Sequence, residues 1–259
     1  INESLINQVY DEMTPASDIP SLIDGAVFEG WVLTLEGLKY QRVIIDSLNN
    51  KIASVKDLEA PSDAEFKHLL TPGLVDLHVH YRDFKQSHKE TVKTGSYHSQ
   101  RTGVMFAYAM PNTNPPLSNL ERLIEYKGLC ERACIPTKVR GMLTPTLTKE
   151  ELESMSPVCD GVFKAFMAES VGSGFFTDYQ TLEEKVSLLP EGSELWLHCE
   201  DPKILADNKH KWVEKREAYH AYQKSTIAEP ITLAEVINSH YEARPVEAKV
   251  EAVKEAIRL

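Results

Sequence analysis

The sequence has few cysteines, a shortage of basic residues and no long apolar run. Its four cysteines, Cys130, Cys134, Cys159 and Cys199, show no framework spacing, which indicates reduced thiols in a cytoplasmic protein. The 28 Lys and Arg residues against 39 Asp and Glu give a charge of −11, which argues against a nucleic-acid partner. Because no segment approaches the roughly 18 apolar residues of a membrane span, a membrane partner is not expected either.

The composition that is present is globular, with 42% hydrophobic and 26% charged residues among 259. Residues 1–20 are too polar for a signal peptide and are an extension of unknown role. Residues 21–73 contain short β-rich runs separated by turn residues. These runs are Ala26–Phe28, Trp31–Leu33, Val43–Ile45 and Lys51–Val55. We therefore predict a small N-terminal β module over residues 21–73.

From residue 74 onward, apolar strand-like runs alternate with helical stretches. The predicted strands are Gly73–His80, Val104–Met110, Lys138–Leu143, Gly161–Met167 and Leu195–Cys199. Near-continuous apolar strands are typical of a parallel sheet buried on both faces. The alternation predicts an α/β fold, and we favour a (β/α)8 TIM-type barrel over residues 74–259 with five strands visible. A doubly wound open sheet is the alternative, although no Gly-x-Gly-x-x-Gly motif follows a strand.

Two amphipathic helices and two capping boxes support this alternation. Apolar residues share one helical face within residues 119–134, and residues 246–259 form a last amphipathic helix. Thr148 with Glu151, and Thr181 with Glu184, fit the capping-box spacing that marks the start of a helix.

Two histidines close the first predicted barrel strand. His78 and His80 are two residues apart, so their side chains point to the same face of a strand. Both can therefore approach one metal ion, and neutral imidazole is the commonest metal ligand. Separate hydrogen bonds are the alternative, but barrels keep their active sites at this end of the strands, which favours metal.

A lysine and a third histidine belong to later strands. Lys164 lies within an apolar strand, where an ammonium group must leave the core, pair with a charge or lose its charge. Carbamylation by CO2 would make it an anion able to bridge two cations, and pairing with an acidic substrate is the alternative. His198 ends another strand and by itself is more typical of a structural histidine. Together these strand ends predict a metal site.

The run Pro72–Arg82 resembles the Pro-Gly-hydrophobic-Asp-x-His-x-His-x-Arg signature of dihydroorotases, in the cyclic amidohydrolase branch of the amidohydrolase superfamily. The resemblance extends from about residue 22 to the end of the chain, with further motifs in the family's order. These motifs are Met110–Pro115, Lys164–Met167, His198–Asp201 and Arg244–Glu247. It implies a metal-dependent hydrolase with a β-sandwich beside a barrel.

The resemblance also implies two zinc ions and a small-molecule substrate. His78 and His80 would bind the more buried zinc, carbamylated Lys164 would bridge both, and His198 would bind the second. Such a zinc pair lowers the pKa of a water molecule and polarises a carbonyl group. The implied reaction is the reversible opening of dihydroorotate to N-carbamoyl-aspartate in pyrimidine biosynthesis.

Arg82 and Asn112 narrow the predicted substrate, because a guanidinium group and an amide can both donate to the carboxylate of dihydroorotate. An ion pair with Asp83 is the alternative for Arg82, and a turn role is the alternative for Asn112. Many family members follow this arginine with Glu-Pro-Gly, whereas this chain has Asp-Phe-Lys-Gln at residues 83–86. We therefore expect an unusual loop there.

The family's remaining site residues cannot be matched. They are a histidine from the sixth barrel strand and a catalytic aspartate from the eighth, whereas His210, His220 and His240 all precede the Arg244 motif. We therefore expect the barrel to be incomplete at its C-terminus and residues 1–259 alone to be inactive.

Two other functions remain open on the sequence. A dihydropyrimidinase or allantoinase would keep the histidines and the lysine but would not need Arg82 and Asn112 to bind a carboxylate. A non-catalytic scaffold, with aspartate transcarbamoylase as its partner, would not need the metal. A homodimer is a further expectation, since family members are often dimers.

Overall fold

A computed structural model of the chain describes residues 27–46, 48–49, 51–62, 69–169, 173–224 and 230–259. The chain divides into two compact units. One unit comprises residues 1–76, 96–107 and 134–136, and the other comprises residues 77–95, 108–133 and 137–259. The extension at residues 1–20 lies outside the described residues, and the domain boundaries at residues 21 and 74 stay predictions.

The N-terminal strands form a four-stranded sheet in the order β3-β2-β1-β4. Its members are β1 (Val27–Thr34), β2 (Gly37–Asp46), β3 (Lys51–Asp57) and β4 (Leu69–Leu70). The first three are antiparallel neighbours, and β4 runs parallel to β1. The turn between β1 and β2 ends at Gly37, whose φ of 112° favours glycine. The runs predicted separately around Phe28 and Trp31 are one continuous strand.

Two three-stranded sheets follow, in the orders β5-β6-β7 and β10-β9-β8. Their strands are β5 (Leu74–Val79), β6 (Val104–Ala109), β7 (Thr137–Val139), β8 (Gly141–Met142), β9 (Val162–Phe166) and β10 (Glu194–His198). β8, β9 and β10 are parallel, with Met142, Lys164 and Trp196 at one level. The α/β class and all five predicted strands are confirmed, and the third is divided at Arg140 into β7 and β8.

Seven α-helices are seen in the described part of the chain. They are α1 (Val92–Arg101), α2 (Leu120–Cys130), α3 (Lys149–Met155), α4 (Tyr179–Val186), α5 (Pro202–Lys224), α6 (Leu233–Glu242) and α7 (Val246–Arg258). None of these helices is long and apolar enough to cross a membrane.

The capping predictions have different outcomes. Thr148 and Glu151 form the expected capping box at the start of α3. The box predicted for Thr181 is wrong, because Asp178 caps α4 and accepts a hydrogen bond from the backbone N–H of Thr181. Asp178, three residues before Thr181, satisfies the orphan N–H of Thr181 itself, so the helix begins about one turn earlier than predicted.

The core is formed mainly by β9 and the helices that pack on these sheets. All five residues of β9 are buried. Leu123 of α2, Leu152 of α3 and Leu182 of α4 are completely buried. The four cysteines are free thiols, as predicted, and three of them are buried.

Candidate metal and substrate site

His78 and His80 lie together at the end of β5. Their ring centroids are 5.2 Å apart, as their spacing predicts. The strand ends at Val79, so His80 is the first residue of the following loop rather than the last of the strand. His78 is exposed and His80 is half-buried. A pair of imidazole rings is therefore presented at this strand end.

The environment of His80 keeps its ring neutral. Burial lowers the pKa of His80 to about 4, and the nearby charges of Arg82, His78 and Lys164 act in the same direction, while the side chain of Asn112 acts against them. The Nδ1 atom of His80 is buried and has no hydrogen-bond partner in the structure. A neutral ring with an unpartnered buried nitrogen is the form of histidine that binds a metal ion, so this residue fits a metal ligand.

Arg82 and Asn112 are neighbours. The Nη1 atom of Arg82 donates a hydrogen bond to the main-chain carbonyl oxygen of Asn112 over 3.1 Å. Asn112 is buried, and its side-chain Oδ1 has no hydrogen-bond partner. Half-burial of Arg82 lowers the pKa of its guanidinium group through desolvation, but the group stays charged. The two residues therefore offer a fixed positive charge beside a buried amide.

The loop after Arg82 differs from the family pattern and has unusual backbone angles. Asp83 and Phe84 have φ values of 44° and 48°, in the left-handed region. Two main-chain hydrogen bonds hold this conformation: Asp83 N–H donates to Glu90 O, and Lys85 N–H donates to Asn114 O, each over 3.0 Å. The loop is thereby tied to the segment that carries Asn112. Backbone strain of this kind is typical of functional sites.

Lys164 is buried in the middle of β9, where its side chain is almost inaccessible to water. Its Nζ atom lies 5.4 Å from the ring centre of Phe166. Burial lowers the pKa of Lys164 to about 8; Cys199 opposes this shift, and Arg140 adds to it. A substantial fraction of the amine is therefore neutral near pH 8, which is the form that reacts with CO2.

Arg140 was not identified from the sequence, although it is among the largest fully buried side chains of the described residues. Its guanidinium carbon lies 4.0 Å from the ring centres of both Tyr108 and Trp196. Its Nη1 donates to the carbonyl oxygens of Leu77 and Tyr108, whereas Nε and Nη2 have no hydrogen-bond partner. The signal that singled out Lys164, a charge inside an apolar strand, was equally present at Arg140.

His198 is held by two further charged residues that the sequence reasoning gave no role. Its Nε2 lies 2.7 Å from Oε2 of Glu200, and the same oxygen accepts a hydrogen bond from Nη1 of Arg244. Burial raises the pKa of Glu200, but His198 and Arg244 together hold it below its ordinary value. A cavity of about 910 Å³ opens beside these residues and is also lined by Trp212.

The donors partly fit the implied metal site. Among the described residues there is no group of three or more His, Cys, Asp or Glu side chains that could hold a metal ion. The structure brings together His78 with His80, and Arg82 with Asn112. Lys164 and His198 lie on the neighbouring strands β9 and β10. The neutral ring of His80 and the weakly basic amine of Lys164 have the chemistry that metal ligation and carbamylation require.

Comparison with known proteins agrees with the family resemblance. Residues 67–139 match the family model described as dihydro-orotase-like. A dihydroorotase of Enterococcus faecalis is 32% identical over 210 residues, covering 77% of this chain and 48% of that protein. A dihydroorotase of Lactobacillus leichmannii is 29% identical over 223 residues, covering 83% and 50%. The chain thus spans about half the length of the curated relatives that it matches.

Solved structures of other proteins share the fold of this chain. An L-hydantoinase (dihydropyrimidinase) from Arthrobacter aurescens has a TM-score of 0.61 at 21% identity, covering 87% of this chain and 48% of that one. A D-hydantoinase from a Bacillus species has a TM-score of 0.60 at 20% identity, covering 89% and 48%. By its sequence, as the His-x-His-x-Arg motif indicated, this chain is a relative of the dihydroorotases.

Proposed function

We propose that this chain is part of a zinc-dependent dihydroorotase that interconverts dihydroorotate and N-carbamoyl-aspartate. The observation that carries the proposal is the position of Arg82. Its guanidinium group is held beside Asn112 and acts electrostatically on His80, so a carboxylate-binding group and a metal-ligand group occupy one neighbourhood. A cyclic amide that carries a carboxylate fits these two groups together.

The residues proposed to hold the metal are His78, His80, Lys164 and His198. His80 offers a neutral ring, and Lys164 is buried with a weakly basic amine that CO2 can convert to a carbamate. Two divalent ions bound there would supply an activated water molecule and polarise the scissile carbonyl group. The surrounding fold in this proposal is a (β/α)8 barrel with an N-terminal β-sandwich. In it, β5 to β10 supply the first five barrel strands, with β7 and β8 together as the third.

The residues proposed to bind substrate act through charge and orientation. Arg82 keeps its charge after partial burial, so it can pair with the substrate carboxylate in a site of reduced polarity. The buried amide of Asn112 has an oxygen without a partner, and its nitrogen can donate to the same carboxylate. This pair would hold the ring with its amide bond toward the two histidines.

The experiment compares three substrates on the natural full-length polypeptide. Purified protein is assayed with dihydroorotate, dihydrouracil and allantoin, and its metal content is measured in parallel. We expect turnover of dihydroorotate above both others and about two zinc ions per chain. Preference for dihydrouracil or allantoin would assign another cyclic amidohydrolase, and protein without metal would favour a scaffold, for example beside aspartate transcarbamoylase.

A matched pair of arginine variants tests the substrate assignment. Arg82→Met removes the proposed carboxylate partner, and we expect kcat/KM for dihydroorotate to fall by about 100-fold, equivalent to one charged hydrogen-bonding contact. Arg132→Met removes a charge from an exposed arginine that donates to Gly128 O, and should leave kcat/KM unchanged. Equal activity of the two variants would contradict the role of Arg82.

Three further proposals concern the location of the protein, its oligomeric state and the carbamylation of Lys164. We propose a cytoplasmic location, which four free thiols support because disulfides are rare in that compartment. A homodimer is also proposed, and gel filtration with light scattering tests it. Electron density at Nζ of Lys164 in a crystal grown with bicarbonate tests carbamylation.

A further inference from the structure

We propose that Glu200 and Arg244 are positioning residues that fix the imidazole ring of His198 for metal binding. The inference rests on the proposed function, in which His198 is a ligand. It is carried by the hydrogen bonds from His198 to Glu200 and from Arg244 to Glu200, which share one carboxylate oxygen.

The exposed fractions of the side chains of Glu200, His198 and Arg244 indicate which of them is fixed and which is held by it. The side chain of Glu200 is 5% exposed, whereas those of His198 and Arg244 are 37% and 30% exposed. A buried carboxylate needs charged or hydrogen-bonding partners, since an unpaired buried charge is costly. Arg244 and His198 supply these partners, so Glu200 is the fixed centre and the imidazole ring is oriented by it.

Further contacts hold this centre in place. Nη2 of Arg244 donates to Glu169 O over 3.4 Å, which ties the segment after β9 to the turn between α6 and α7. The backbone N–H of Asp201 donates to Ala248 O over 2.8 Å, and the Asp201 carboxylate accepts a hydrogen bond from Tyr179 over 2.7 Å. The residue that follows Glu200 is therefore anchored to α4 and α7.

The chemical consequence concerns the two nitrogens of the His198 ring. When Nε2 carries the proton and donates it to the Glu200 carboxylate, Nδ1 is left with its lone pair. A carboxylate on the opposite ring nitrogen also increases the basicity of a ligating histidine and fixes its orientation. Arg244 donates to the same carboxylate oxygen and holds it in place, and thus acts on His198 through Glu200.

The test measures zinc binding by chelator competition on the natural full-length polypeptide. We expect Glu200→Ala to weaken the affinity by about 10- to 100-fold and Arg244→Met by about 10-fold. Glu200→Gln retains an acceptor for the imidazole N–H and should restore most of the affinity. The matched controls are Glu183→Ala and Arg258→Met, which break an exposed Arg–Glu ion pair between α4 and α7 and should bind zinc as the wild type does.

A spectroscopic measurement on the metal-free protein separates positioning from general stability. The hydrogen-bonded N–H proton of His198 should give a downfield proton resonance in the wild type and in Glu200→Gln. This resonance should be absent in Glu200→Ala and present in both controls.

Outcomes for the inference and for the proposed function are distinguishable. Wild-type zinc affinity and an unchanged resonance in Glu200→Ala would overturn the inference even if dihydroorotate is turned over. Conversely, a loss of zinc affinity and of the resonance in Glu200→Ala supports the inference even if none of the three cyclic amides is a substrate. A wild-type protein that binds no zinc overturns it.

Discussion

The segments after β5 and after β10 share one feature, a buried aspartate that binds the following helix, but they differ in how their histidine rings are held. Each has a buried aspartate three residues after a histidine: Asp83 follows His80, and Asp201 follows His198. Each aspartate accepts a backbone hydrogen bond from a helix, from the first residue of α1 for Asp83 and from Ile204 of α5 for Asp201. The chain thereby fastens both histidine-bearing strand ends to the helices that follow.

The difference lies in the imidazole rings. Glu200 and Arg244 hold the ring of His198, whereas Nδ1 of His80 is buried without a hydrogen-bond partner. An unsatisfied buried nitrogen raises the free energy of the folded chain, and a bound ligand would remove that cost. The comparison teaches that one histidine is oriented by a carboxylate at hydrogen-bonding distance, while the other has a buried ring nitrogen without such a bond and only the side chain of Asn112 nearby.

Substitution of Arg140 should have the largest effect on the free energy of unfolding, because this buried side chain contacts β5 from within the core. Arg140→Ala removes two stacking contacts and the hydrogen bond to Leu77 O, next to His78. We expect the free energy of unfolding to fall by about 3 kcal/mol, the range for a large buried side chain, measured by urea denaturation. Arg132→Ala, at an exposed position, should change it by less than about 0.5 kcal/mol. Equal losses of unfolding free energy in Arg140→Ala and Arg132→Ala would show that the contacts of Arg140 do not stabilise the fold.

Asp201 should have the next largest effect, on the β10 side. Asp201→Ala removes the hydrogen bonds from Ile204 N–H and the Tyr179 hydroxyl group, each 2.7 Å long. We expect a loss of about 2 kcal/mol in the free energy of unfolding. Asp201→Asn keeps an acceptor for Ile204 and should lose less than half as much. If Asp201→Asn were as destabilising as Asp201→Ala, the carboxylate charge rather than the backbone bond would hold this segment.

The smallest expected effect tests the comparison directly. Substitution of His80 and of His198 should change the free energy of unfolding in opposite directions. In the metal-free protein, His80→Leu replaces an unsatisfied buried nitrogen by an apolar group, so the free energy of unfolding should rise by about 1 kcal/mol. His198→Leu takes a partner away from buried Glu200, so it should fall by about 1 kcal/mol. Thermal unfolding of both variants measures this. Changes of the same sign would remove the distinction between the two strand ends.

Much of the fold was predictable because its signals are local. Five near-continuous apolar runs correctly indicated β5 to β10, of which β7 and β8 share one run, and the capping box at Thr148 marked the start of α3. The cap of α4 was assigned wrongly because Asp178 and Thr181 both suit a helix start by residue type. Only the backbone conformation, extended at Asp178, decides between them.

The sequence alone determined the identity of the candidate groups: a histidine pair two residues apart, an arginine two residues later, and a lysine inside an apolar strand. It determined the family resemblance through the same residues. The tertiary structure decided their environment, because burial and charge depend on residues distant in the chain. Glu200 and Arg244 are 44 residues apart and share one hydrogen bond, and no local pattern encodes that contact. Which histidine is held and which is left unsatisfied is therefore a property of packing alone.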